Sequence, residues 1–317
     1  MNDSKEMLTG GDILVQCLLE ENVQYLFGII GGELMAMFDA VYRWGRESGI
    51  NTVMFRHEQA AAHAADAWAR VTNTPGVCFG TVGPGALHLV PAVGTAWSDN
   101  IPMIVIVPQK NKMIDDSFAL QGNVDQIGIF KPITKYQRTV RTIERIPDAV
   151  HKAFRETTGG RPQPVILELT TDATFAKIDV DDIKHQVRTP STYRAEHYPA
   201  PPDEAVTQAL KLLKSAKKPL IVSGGGVMRS EAWDELREFA EHMEIPVVTS
   251  IMGIGTMSTD SKCFVLQAGP EADVVLALGC KFSHTMGLGQ PPRFRDSQKL
   301  IHVDIDPSTI GRRNKWV

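Results

Sequence analysis

The sequence predicts an α/β protein built from two doubly wound, parallel-sheet domains. Strand-length runs that are apolar on both faces recur along the chain, as a sheet covered by helices on both sides requires. Helical patterns alternate with those runs, which is the βαβ signature. One polar, proline-containing stretch then interrupts the alternation before it resumes. A length of 317 residues suits two domains of ordinary size.

In order, "DILVQCLLEEN" (12–22) reads as an amphipathic helix and "VQYLFGI" (23–29) as a strand. A Gly31-Gly32 turn leads into a helical "ELMAMFDAVYRW" (33–44). "NTVMF" (51–55), the run from Gly76 to Val82 and "PMIVIVP" (102–108) are further strands, with helices at 58–70 and 85–98 between them. A helix near 145–157 precedes the strand "PVILEL" (164–169). Residues 1–172 therefore form the expected first domain and 173–202 a linker, aperiodic and polar. The second domain, 203–317, offers helices at 203–215 and 230–243 and strands at 219–225, 246–250, 274–279 and 300–306.

Two features of that second domain are odd. A parallel crossover usually carries a helix, yet residues 250–274 hold no helical run of three turns, as if residues near 261–268 were missing. The run "IGRRNKWV" (310–317) also falls where a helix should be under way, so a further C-terminal part is expected.

Composition narrows the function classes. With 33 basic against 37 acidic residues, the net charge is −4, which offers no basic face for a nucleic acid. The polar N-terminus has no apolar signal core, and no run of about 18 apolar residues suggests a membrane span. Cys17, Cys78, Cys263 and Cys280 are scattered without metal-type spacing and read as reduced, buried thiols of a cytoplasmic protein.

The chemistry concentrates in "FRHEQAAAHAADAWAR" (55–70), where Glu58 opens an alanine-rich helix. A carboxylate at a helix start is favoured by the dipole alone, by about 0.3–1 kcal/mol, so the residue reads equally as structural or catalytic. Glycine turns follow three strands, at Gly31-Gly32, at Gly83-Pro84-Gly85 and at Gly224-Gly225-Gly226. Such turns let a ligand approach the backbone, but none is a G-x-G-x-x-G dinucleotide fingerprint.

In this order and spacing, "GIIGGELMAMFDAV", "FRHEQAAAHAADAWAR" and "GTVGPGALHLVPAVGTAWSDNIPMIVIV" resemble the pyrimidine-binding domain of thiamin-diphosphate (ThDP) enzymes. The likeness is to acetolactate synthase, 2-hydroxyacyl-CoA lyase and oxalyl-CoA decarboxylase, and "FKPITKY" (130–136) and "GRPQPVILEL" (160–169) continue it. "KPLIVSGGGV", "IPVVTSIMGIG", "DVVLALGCKF" and "LIHVDIDPSTIG" resemble the family's Rossmann-like central domain, so the likeness covers essentially the whole chain.

The resemblance implies that Glu58 hydrogen-bonds N1′ of the cofactor's aminopyrimidine and favours its 4′-imino tautomer, whose nitrogen removes the thiazolium C2 proton. A small apolar surround, such as the alanines give, suits a carboxyl that shares a proton with a weakly basic ring. The implied cofactor contacts are Gly31, Gly32, Glu58, Gly83, Pro84, Gly85 and His88, with Gln121 a substrate-side residue. His57 and His63 are read as structural. His88 in "GPGALH" and the run "GLGQPPRF" (287–294) favour the CoA-lyase branch. Acetolactate synthases carry Phe-Gln-Glu where this chain has Gln121-Gly122-Asn123, which counts against acetolactate synthesis itself.

In the central domain Gly224, Gly225, Gly226, Met252, Gly253 and Asp304, with Asp306, could hold an adenine nucleotide, FAD or ADP, as in relatives; a domain that only packs is the other reading. Lys281 stands where acetolactate synthases use an arginine toward FAD. The resemblance also implies Mg²⁺, but the Gly-Asp-Gly that would help bind it occurs nowhere in the 317 residues, so this chain is expected to provide no metal ligand and to lack the diphosphate-binding domain.

The expected activity is C–C bond cleavage or ligation on a 2-oxo acid or a 2-hydroxyacyl-CoA, in a homodimer or homotetramer with the site between subunits. The alternatives are a subunit inactive without a second, diphosphate-binding chain, and an α/β protein that only binds a nucleotide.

Overall fold

The computed structural model describes residues 6–114, 117, 121–122, 124–195 and 199–311. Two compact units divide the chain, Met1–Glu196 and His197–Val317, and both are α/β with parallel sheets.

Among the described residues, unit 1 contains eight strands: β1 (Met7–Thr9), β2 (Tyr25–Gly28), β3 (Asn51–Met54), β4 (Gly76–Phe79), β5 (Met103–Gln109), β6 (Tyr136–Val140), β7 (Val165–Thr170) and β8 (Lys177–Asp179). Six of them form one all-parallel sheet in the order β3-β2-β4-β5-β7-β6. Every residue of β4, β5 and β7 is buried, which is why these runs read as continuously apolar rather than alternating. Val77, Phe79, Ile104, Ile106, Val165 and Leu167 enter one core cluster with the helices Gly10–Glu20, Met35–Ala40 and Ile146–Thr158. The alternate residues Cys78, Val105 and Ile166 point to the opposite face.

The alanine helix runs Glu58–Thr72 and packs on β2, β4 and the helix Val90–Asp99. Its Ala61, Ala62, Ala65 and Ala69 are fully buried. The approach is close: a Cβ on Gly76 would lie 2.0 Å from the carbonyl oxygen of Ala65. Small side chains on both sides are what permit this spacing.

The segment after residue 172, expected as a linker, folds onto unit 1. Its β8 pairs antiparallel with β1, and Ala173 and Ile183 join the core. Apolar residues at 173, 178, 180 and 183 are too few to give a visible period, yet enough to pin a short segment.

Unit 2 holds β9 (Pro219–Ser223), β10 (Val247–Thr249), β11 (Val274–Leu278) and β12 (Lys299–Val303), all parallel, in the order β10-β9-β11-β12. The helices Asp203–Ser215 and Trp233–Met243 supply residues to one of its two core clusters. From β10 to β11 the chain crosses by 3₁₀ turns at Ile251–Gly253 and Gly269–Glu271 and an isolated bridge from Val247 to Phe264, without an α-helix. Beside this bare crossover lies a cavity of about 330 Å³ lined by Val248, Ile251, Leu266, Met286, Arg293 and Phe294 among others. Beyond β12 the described chain ends in turns by Gly311, and the helix expected after the strand would lie outside the described residues.

All four cysteines are free and buried. Burial pushes the thiols of Cys17 and Cys78 up to about 12 and that of Cys280 to about 11, so they are inert at neutral pH. No helix of the described residues is long and apolar enough to cross a membrane.

Candidate functional site

In unit 1 the chain runs outward from β2 to β3 on one side and to β4 and β5 on the other. The strand order therefore reverses between β2 and β4, and open α/β sheets bind ligands in the crevice beyond the strand C-termini at such a point. Gly31-Gly32 follows β2, Glu58 follows β3 and Gly83-Pro84-Gly85 follows β4, so the three predicted motifs of unit 1 meet at this crevice.

Glu58 is the first residue of its helix and is 8% exposed. His57 is the N-cap, its Nδ1 accepting from Gln59 N at 3.1 Å. Oε2 of Glu58 lies 3.0 Å from Nδ1 of His88. A carboxylate only accepts, so His88 carries a proton on that nitrogen. Oε1 is 3.3 Å from the point a Cβ would occupy on Gly85, so Gly85 keeps open the space in front of the carboxyl. His57 and His88 lie ring against ring, centroids 4.5 Å apart at 33°. His63 is exposed on the same helix.

The glycine turns are needed where they stand. Gly83 has φ +67°, and a Cβ there would meet the carbonyl oxygen of Gln121 at 2.5 Å. The backbone of Gln121 thus closes on the turn, while Asn123 lies outside the described residues. A Cβ on Gly31 would strike Oγ1 of Thr81 at 2.1 Å, whereas Gly32 faces open space.

Behind these turns runs a buried polar chain that the sequence reading missed. Gln126, fully buried, accepts from Gly83 N at 2.8 Å and donates to Pro108 O at 3.0 Å and to Glu168 Oε1 at 2.8 Å. Glu168 also accepts from Gln109 Nε2 at 3.2 Å and Thr139 Oγ1 at 2.8 Å. Lys110 pairs with Glu33, which accepts from Thr81 Oγ1 at 3.2 Å. Burial opposes the charge on Glu33, but Lys110 and Thr81 outweigh it and hold its carboxyl below the ordinary range. A glutamate inside the apolar "PVILEL" was the one signal that could have disclosed this network.

In unit 2 the glycines serve close packing. A Cβ on Gly224 or Gly226 would strike Gly279, one on Gly253 would strike Ser223 O at 2.3 Å, and one on Gly225 would sit 3.0 Å from Met252 Cβ. Gly224, Gly225, Gly226, Met252 and Gly253 are thus neighbours. Asp304 follows β12 and accepts from Asp306 N at 2.9 Å. None of these residues lines the cavity beside the bare crossover.

Residues 8–129 match the model of the thiamine pyrophosphate enzyme N-terminal TPP-binding domain, and residues 206–316 that of the central domain. The chain belongs to the thiamine pyrophosphate enzyme family. It is 36% identical over 319 residues to a probable acetolactate synthase large subunit of Methanococcus aeolicus, covering 96% of this chain and 52% of that protein. Likeness to the acetolactate synthase of Arthrospira platensis is 34% over 329 residues, with 98% and 56% covered. To the large subunit of Haemophilus influenzae it is 32% over 319 residues, with 96% and 54% covered. The chain spans about half the length of these curated relatives.

The crevice fits the aminopyrimidine half of that family's cofactor. It presents a mostly buried carboxyl with one oxygen held by His88 and the other facing a glycine that a methyl group would block.

Proposed function

We propose that this chain is the pyrimidine-binding and central portion of an acetolactate synthase-like ThDP enzyme that cleaves or forms a C–C bond next to the carbonyl of a 2-oxo acid. The observation that carries this reading is Glu58 Oε1 facing Gly85 at the sheet's switch point. Bound ThDP supplies a carbon acid that becomes a nucleophile and an electron sink. Glu58 then holds or yields a proton at N1′ of the aminopyrimidine. His88, on the other oxygen, fixes the rotation of that carboxyl. The Gly83-Pro84-Gly85 turn lets a flat ring approach the backbone, and the buried alanines exclude water from the carboxyl's inner side.

The Mg²⁺ and diphosphate side would come from a further domain or from a second chain. Likeness to the family implies a site between two subunits, with a homodimer or homotetramer as the assembly. His88 keeps a 2-hydroxyacyl-CoA lyase as the second reading. A nucleotide at Gly224–Gly226, Met252 and Gly253 remains a separable proposal for unit 2, to be tested by calorimetry with FAD and ADP.

Calorimetry of the enzyme assembled with its diphosphate-binding half, titrated with ThDP and Mg²⁺, tests the main reading. Binding that weakens about tenfold or more in Glu58→Ala supports it, by the loss of one charge-assisted hydrogen bond. Equal heats for both proteins would overturn it.

A further inference from the structure

We propose that His57, Glu58 and His88 form a binding site for one divalent first-row transition ion of the zinc class, filled when the pyrimidine crevice is empty. The ligand atoms of the three side chains all lie within 4.8 Å of one another, and no other such group of three occurs among the described residues. Two imidazoles and one carboxylate are a donor set for zinc and its neighbours, whereas Mg²⁺ prefers all-oxygen, largely hydrated sites.

The geometry supports a shared ion. With metal–ligand bonds of roughly 2.0–2.2 Å, the 3.0 Å between His88 Nδ1 and Glu58 Oε2 subtends roughly 90° at an ion between them. His57 stands beside His88 with ring centroids 4.5 Å apart, and because its Nδ1 accepts from Gln59 N, Nε2 is the nitrogen it offers as third donor. The remaining positions open toward solvent, where both histidines are exposed. Two histidines and one carboxylate are the donor set of a facial triad, and small side-chain rotations would draw the three atoms, now within 4.8 Å, onto one ion. Glu58 anchors the face from inside, because it is nearly buried and fixed at the helix start.

Binding moves a proton within one ring. The ion takes the place of the Nδ1 proton that His88 holds against Glu58, and the ring carries its proton on Nε2 instead, so the imidazole ligates as a neutral ring. Nothing is oxidised or reduced. The carboxyl that ligates the ion is then withheld from the aminopyrimidine, so the ion and ThDP exclude each other. That exclusion rests on the function proposed above; the metal site itself does not.

The test uses the full chain stripped of metal, titrated with Zn²⁺ by calorimetry and with Co²⁺ by visible absorption. One ion per chain is expected, with affinity reduced by about tenfold or more in His57→Gln, His88→Gln and Glu58→Gln alike, and unchanged in His242→Gln, an exposed histidine of unit 2. Zn²⁺ binding of unchanged strength in the His57→Gln/His88→Gln double variant would overturn the proposal. The two readings fail separately. If ThDP with Mg²⁺ leaves a triad-dependent zinc affinity untouched, the exclusion falls and the site stands. If ThDP binding depends on Glu58 but zinc binding does not, the site falls.

Discussion

Nδ1 of His88 and Oε2 of Glu58 stand 3.0 Å apart, and this contact divides the two ends of one carboxyl between two tasks. Oε2 is held by a protein donor, while Oε1 faces the space that Gly85 leaves free. Thirty residues of chain separate the partners, so the contact exists only because β3 and β4 end at the same edge of the sheet.

If His88 orients Glu58, His88→Ala should slow C2 proton exchange of bound ThDP by about tenfold, the cost of one hydrogen bond to a charged group. His88→Gln, which keeps a donor, should recover most of the rate. Deuterium exchange followed by NMR separates this from a change in cofactor affinity. Equal rates in His88→Ala and His88→Gln would assign His88 a role that does not depend on donation.

Gly85→Ala places a methyl group 2.7 Å from Thr81 Cγ2 and 3.3 Å from Glu58 Oε1. Thr81 is β-branched and donates to Glu33, so it yields only by a rotation that strains this contact, and the space before the carboxyl is lost. ThDP affinity should fall by about tenfold or more, with a loss of stability of about 0.5–1.5 kcal/mol from that rotation. Calorimetry and thermal melts on the same preparation give both numbers.

Gln126→Ala leaves the buried Gly83 N–H without its acceptor and takes a donor from Pro108 O and from Glu168 Oε1, which keeps Gln109 at 3.2 Å. The expected loss is about 1–3 kcal/mol, the cost of one unsatisfied buried group with partial relief by water. Urea unfolding at unchanged slope reads it as a shifted midpoint.

His151 is 2% exposed, has no hydrogen-bond partner on either ring nitrogen, and stacks on Tyr193 at 4.3 Å. Burial, with Arg188 and Arg155 near and Asp148 opposing, drives its pKa down to about 4 from 6.5. The unfolded chain therefore binds more protons in that window. Stability is fully present above about pH 6.5 and declines as pH falls toward 4, by up to about 3 kcal/mol. His151→Phe should flatten this limb of the midpoint-against-pH curve, and an unchanged limb would assign it to other groups.

What the sequence disclosed follows from period and spacing. Buried parallel strands such as 103–107 announce themselves as unbroken apolar runs, and the three glycine or glutamate turns sit at strand ends where a switch-point crevice needs them. The network of Gln126, Glu168, Gln109, Thr81 and Lys110 stayed hidden because each residue is ordinary alone and joins its partners across 18 to 77 positions of chain. The segment 173–195 looked like a connector because one short edge pairing, β1 with β8, has no pattern of its own.

The most direct test concerns Glu58 itself: the C2 proton exchange rate of ThDP bound to the enzyme assembled with its diphosphate-binding half, in wild type and Glu58→Gln. A glutamine keeps size and hydrogen bonding but cannot share a proton with N1′, so the account predicts a rate lower by about 10²–10⁴-fold. An unchanged rate with saturating cofactor would contradict it.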